Sequence, residues 1–149
     1  MKRTTGRLLL FALAASMLLC AAALAAEPFR SGPGGIRYQD LQSGQGDAAL
    51  TGQVATIHFV AWIDENGARG REVYNSRSRG QPVSFVIGTD GVMPGWNAGV
   101  VGMKPGGKRL LLLPPAMAYG ARAIEDAVPA NAAMMFRIEL IRLENPPGS

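Results

Sequence analysis

The run 53–67, QVATIHFVAWIDENG, constrains the fold more than any other part of the chain. Ile57, Phe59, Ala61 and Ile63 form one alternate set, and His58, Val60 and Trp62 form the other. Successive side chains of a strand point to opposite faces of a sheet, so this run carries apolar groups on both faces and reads as a long central strand. The turn-forming Asp64-Glu65-Asn66-Gly67 stops it. Period-two patterns elsewhere predict a first strand on Ile36, Tyr38 and Leu41, then strands at 71–74, 82–87, 108–113 and 134–143. Only 94–103 has helical spacing: Trp96, Val100 and Met103 share a face, Pro94 suits a first helical turn, and Lys104-Pro105-Gly106-Gly107 closes the stretch. Five or six antiparallel strands with one short helix imply an α+β fold in which the sheet curls around the helix.

Ahead of this lies a leader. Lys2, Arg3 and Arg7 precede an uncharged run at 8–19 and a small-residue stretch at 21–26, the arrangement of a secretory signal peptide over 1–26. Ala23-Leu24-Ala25 fits the A-x-A cleavage rule and places the mature start at Ala26, or at Glu27 if cleavage falls one residue later. The lone cysteine, Cys20, is inside the leader behind the bulky Leu19, which argues against lipidation. The mature chain then has no thiol, and its stability must come from packing. The Pro, Gly and Ser of 27–34 read as a flexible linker, 35–144 as one domain and 145–149 as a tail. Export places the protein in the periplasm, with secretion and lipid anchoring less favoured and no stable membrane insertion after cleavage.

Charge and motifs exclude several functions. The net charge of +4 falls to near neutrality once the leader is removed, leaving twelve basic against eleven acidic residues. Those basic residues are scattered among turns, so they read as solvated surface and not as a nucleic-acid interface. One histidine and no mature cysteine cannot assemble the usual zinc site, and no phosphate-binding loop or nucleophile elbow is present, so no metal or cofactor is expected. His58 lies in a strand with nothing to activate, and Glu125 with Asp126 sits in an alanine-rich loop that reads as exposed. What remains is aromatic and apolar: Trp96, Tyr119, Phe59, Phe136, Val92 and Met93, residue types that build cores as often as pockets.

Specific segments decide between those readings. Ile57-His58-Phe59, Arg79-Gly80-Gln81-Pro82-Val83-Ser84-Phe85, Ile87-Gly88 and Val92-Met93-Pro94-Gly95-Trp96-Asn97-Ala98-Gly99-Val100 closely resemble the FKBP-type peptidyl-prolyl cis/trans isomerases. So do Met103-Lys104-Pro105-Gly106-Gly107-Lys108-Arg109, Pro114-Pro115, Tyr119-Gly120, Val128-Pro129-Ala130-Asn131-Ala132 and Phe136-Arg137-Ile138-Glu139-Leu140, all in family order over roughly 34–144. The resemblance implies a curled sheet around one short helix, and non-covalent catalysis of X–Pro rotation during the folding of exported proteins. It implies Trp96 as pocket floor, Tyr119 as hydroxyl donor, and Val92 and Met93 as the segment whose backbone hydrogen-bonds ligand. Phe59, Tyr74, Val128 and Phe136 match walls, and Ile124 falls on the loop overhanging the pocket. Implied partners are proline-containing proteins or peptides, and macrolides with weakened affinity.

Three departures accompany the match. The family usually has tyrosine at Phe59 and a large aromatic at Val83. In Val73-Tyr74-Asn75-Ser76 it usually has phenylalanine, aspartate and serine. One alignment equates Tyr74 and Asn75 with the first two at the cost of a one-residue deletion, and the ungapped one equates Val73 and Tyr74. The first is preferred because it keeps an aromatic and a carboxylate isostere in place. The family's tyrosine–aspartate pair has then become Phe59 and Asn75, losing hydroxyl and charge together. That loss leaves room for a second reading, a non-catalytic chaperone or proline-segment binding module using the same groove.

Overall fold

The computed structural model describes residues 27–148. The leader, Cys20 and the cleavage site at Ala26 lie outside the described residues. Seven strands occur in the order β1 (Arg30–Ser31), β2 (Arg37–Gln42), β3 (Val54–Glu65), β4 (Ala68–Asn75), β5 (Val83–Val86), β6 (Lys108–Leu113) and β7 (Met134–Glu144), with helix α1 (Pro94–Val100) between β5 and β6. They form one antiparallel sheet ordered β1-β2-β6-β7-β3-β4, with β5 also paired to β3. β3 is central, as its two apolar faces require. It meets β7 from Val54↔Glu144 to Ile63↔Met134, and on its other side its first half meets β5 and its second half β4.

Alternation sorts the side chains onto two faces. Ile57, Phe59 and Ala61 of β3 join Leu111, Leu113, Phe136, Ile138, Leu140 and Val100 in the inner core beneath α1. Val60 and Trp62 join Leu112 and Met135 in a smaller outer cluster. The helix can lie close to β6 only because two of its residues lack a side chain. A Cβ on Gly95 would come within 2.3 Å of a Leu113 methyl, and one on Gly99 within 2.4 Å of a Leu111 methyl.

Two expectations are corrected here. The helix ends at Val100, short of the expected 94–103, because Val101 turns to ψ 132° and Gly102 to φ +86°. Met103 nevertheless stays in the core at 3% exposure. Its helical end is held by Arg109, whose buried guanidinium donates to the Gly99 and Val101 carbonyls at 2.9 and 3.1 Å and to the Asp40 carboxylate at 2.7 Å. The cation thus sits at the negative end of the helix with its charge compensated. The stretch 27–34 is not a free tether: Arg30 and Ser31 pair with Tyr38 and Arg37, and Phe29 packs on the outer cluster with the Arg37 guanidinium 5.1 Å from its ring centre. An apolar anchor ahead of a short edge strand supplies the burial that composition alone did not reveal.

Candidate functional site

The site begins with α1. Pro94 at its first turn leaves Met93 as the residue before the helix, and the Met93 carbonyl accepts from the Trp96 amide at 2.9 Å. The Asn97 side chain fixes the preceding loop, accepting from the Gly88 amide at 2.8 Å and donating to the Thr89 carbonyl at 2.9 Å. Between these anchors the amide N–H groups of Val92 and Met93 donate to nothing among the described residues. Backbone donors left open beside an apolar wall are suited to a ligand carbonyl.

Trp96 stands at the centre of a ring cluster. Phe59 meets it edge-on at 4.7 Å, Phe136 edge-on at 5.7 Å, and Phe85 tilted at 5.6 Å. Tyr74 of β4 stacks on Phe59 at 5.0 Å. These separations lie within the attractive range for aromatic pairs, so the indole is held by geometry as well as by burial. Its Nε1 is buried and makes no hydrogen bond among the described residues.

The other expected residues divide by exposure. Val83, Val92, Met93, Tyr74 and Tyr119 are half-buried and pack against the inner core, and of these Tyr74 stacks on a ring of the cluster. Phe136 and Val128, expected as walls, are 0% and 1% exposed, so they back the surface without forming it. The Tyr119 carbonyl accepts from the Arg122 amide at 3.2 Å. Its hydroxyl makes no hydrogen bond among the described residues, and burial raises its pKa above the ordinary tyrosine value of 10.0, so it remains a protonated donor at neutral pH. Ile124 is 39% exposed on the loop 121–128, closed by an isolated bridge between Ile124 and Val128. Arg71 of β4 ties that loop down by donating to the Ala127 carbonyl at 2.6 Å.

Asn75 is engaged in the turn after β4, where its Oδ1 accepts from the Arg77 and Ser78 amides at 3.1 and 3.2 Å. The fully buried Ser76 hydroxyl accepts from the Phe59 amide at 2.8 Å and lies 2.8 Å from His58 Nδ1. Strand alternation therefore keeps His58 off the Phe59 side. Phe85, Ser76, Arg71 and the Arg79 guanidinium, 4.8 Å from the Tyr74 ring centre, also belong to this neighbourhood and were not singled out from sequence. Only their proximity to Trp96, Phe59 or the 121–128 loop distinguishes them from core and surface residues. Two clefts of about 150 and 290 Å³ lie elsewhere, the first beside Lys104 and Arg109 and the second beside Arg37 and Asp64. Neither is lined by a ring of the cluster, and the chemistry favours the aromatic wall over cavity size. No group of three or more His, Cys, Asp or Glu side chains among the described residues is placed to hold a metal.

Residues 46–141 match the family of FKBP-type peptidyl-prolyl cis-trans isomerases. An FK506-binding protein of Neisseria meningitidis serogroup B is 38% identical over 110 residues, covering 74% of this chain and 97% of the relative. The FKBP-type isomerase FkpA of Escherichia coli K12 is 34% identical over 113 residues, covering 76% of this chain and 39% of that longer protein. Its crystal structure superposes with a TM-score of 0.69 at 31% identity, over 80% of this chain and 53% of that one. A peptidyl-prolyl cis-trans isomerase from Pseudomonas syringae gives a TM-score of 0.68 at 26% identity, over 81% of this chain and 84% of its own. With its curled antiparallel sheet wrapped on one short helix, the chain belongs to the FKBP-type peptidyl-prolyl cis-trans isomerases.

Proposed function

We propose that this isomerase twists X–Pro bonds by desolvation in the aromatic cluster around Trp96, and that its clients are exported proteins. Amide resonance gives the bond a barrier of about 18–20 kcal/mol, so uncatalysed exchange takes on the order of tens to hundreds of seconds. Twisting breaks that resonance and reduces the charge separation of the amide. An apolar wall then disfavours the planar ground state more than the twisted transition state. A ten-thousandfold acceleration needs about 5.5 kcal/mol of such difference.

The observation that carries this reading is the floor itself: an indole framed by three rings, beside the unused Val92 and Met93 amides. In this mechanism Trp96 supports the proline ring, and Phe59, Tyr74, Val83, Val92 and Met93 shape the wall. Tyr119 donates its hydroxyl to the substrate carbonyl, Ile124 covers the bound chain, and Phe136 with Val128 keeps Phe59 and Trp96 in place. Phe59 has no hydroxyl and Val83 no ring, which supports weak macrolide binding. The leader at 1–26 supports export and a mature start at Ala26 or Glu27 without lipid, to be checked by the intact mass of the mature protein. Proline-limited refolding tests the activity: catalytic amounts of this protein accelerate the slow phase. Acceleration only at equimolar amounts, or none, would instead identify a binding module.

A further inference from the structure

The arginines of this chain differ in what occupies them. Arg77 pairs with Glu139 at 2.6 Å, Arg109 with Asp40 at 2.7 Å, Arg142 with Glu144 at 2.9 Å and Arg30 with Glu27 at 3.7 Å. Arg69 and Arg137 lie over Trp62 and Arg37 over Phe29, all on the outer cluster. Arg71 is spent on the Ala127 carbonyl. Arg122 sits in the 121–128 loop and stacks on no ring among the described residues. Arg79 differs from all of these. Its guanidinium lies 4.8 Å from the Tyr74 ring centre, Tyr74 stacks on Phe59, and Phe59 touches Trp96, yet no carboxylate among the described residues pairs with it.

The turn explains why that charge is uncompensated. The Arg79 amide donates to the Asn75 carbonyl at 3.3 Å, so Asn75 belongs to the same turn. It is a neutral amide, and its Oδ1 is already taken by the Arg77 and Ser78 amides. A ring beneath the guanidinium orients the cation without neutralising it, and the N–H groups in the guanidinium plane remain free to grip a carboxylate in two places. Steps of 4.7, 5.0 and 4.8 Å lead from Trp96 through Phe59 and Tyr74 to Arg79, which puts the guanidinium on the flank of the aromatic wall, the side where residues neighbouring a bound proline would lie.

We propose that Arg79 forms a carboxylate subsite at the rim of the aromatic wall, so that this isomerase favours prolines with an adjacent aspartate or glutamate. The proposal rests on the isomerase reading above and names its substrate class. The test measures kcat/KM by NMR exchange on Ala-Xaa-Pro-Phe and Ala-Ala-Pro-Xaa peptides, with glutamate, glutamine, lysine or leucine at Xaa. The glutamate peptide is expected to exceed the glutamine peptide about threefold to fivefold at one of the two positions in low salt, the scale of a partly exposed ion pair. At about 0.5 M salt the ratio falls toward one. Arg79→Gln removes the preference, Arg79→Lys keeps part of it, and Asn75→Asp lowers it by supplying a carboxylate within the turn. Because each variant is read as a ratio between two peptides, loss of folded protein cancels. A glutamate-to-glutamine ratio near one at both positions, or one unchanged by Arg79→Gln, overturns this proposal while leaving the isomerase reading intact. Failure to turn over any peptide, leucine included, overturns both.

Discussion

The two tryptophans sit on opposite sides of the sheet and are treated differently. Trp62, on the outer face of β3, is 6% exposed and covered by this chain's own cations, with Arg69 4.4 Å and Arg137 5.9 Å from its ring. Trp96 is framed by Phe59, Phe85 and Phe136, is itself only partly buried, and its Nε1 has no partner among the described residues. Guanidinium groups over an indole satisfy its negative face and close it to visitors. Rings that meet an indole edge-on build a rigid wall with room for a visitor of the same apolar kind. Burial alone does not separate a site from a core; the kind of cover does.

That contrast gives expectations of decreasing size. Trp96→Ala should lower kcat/KM by about two orders of magnitude or more, since in the proposed mechanism it removes the floor that supports the twisted bond. Peptide exchange kinetics check this. Trp62→Ala should instead cost about 3 kcal/mol of stability in urea unfolding, with activity per folded molecule within about threefold. Were Trp62→Ala to abolish catalysis in a folded protein, the division of labour between the faces would break. Gly99→Ala should destabilise by about 1–2 kcal/mol, because pressing a methyl against Leu111 outweighs the gain in helix propensity.

Smaller effects sharpen the contrast. Tyr119→Phe should cost about 0.5–1.5 kcal/mol of transition-state stabilisation, the value of one hydrogen bond, and leave activity measurable in the same assay. Burial raises the Tyr119 pKa in the folded state, which therefore favours the neutral phenol. Its contribution is present below about pH 10, the unfolded value, and is lost as pH rises through the higher folded value. Wild-type rates should accordingly be flat from about pH 6 to 9, where an acid–base mechanism would give a bell. His58→Asn should alter the rate by no more than about threefold across that range. A neutral-range pH dependence that disappears in this variant would return histidine to the mechanism.

Much of this architecture is legible in residue order. Period-two alternation is a local property, so β3 and β6 emerge from the sequence with their two faces, and Pro94 marks the start of α1. What escaped depends on contacts between distant residues. Phe29 is an isolated aromatic in a Gly- and Pro-rich stretch until the outer cluster receives it, and Phe85 resembles any core residue of a short strand until Trp96 lies 5.6 Å away. Arg71 and Arg79 were read as solvated surface because a charge beside turn residues usually is. The pocket positions came from resemblance to a family, since periodicity can place Phe136 inside the protein but cannot say whether it faces a ligand or backs one that does.

The place of β7 in the sheet has a consequence for how this protein is made. Residues 134–144 lie between β6 and β3, so one edge of β3 lacks its partner until residue 144 has been synthesised. At roughly 5–20 residues per second, translation delivers β3 several seconds before β7 can join it. During that interval a strand with two apolar faces has an unpaired edge, the condition under which chains aggregate or recruit holding factors. The isomerase domain must therefore itself fold late, once its last strand in chain order has been delivered.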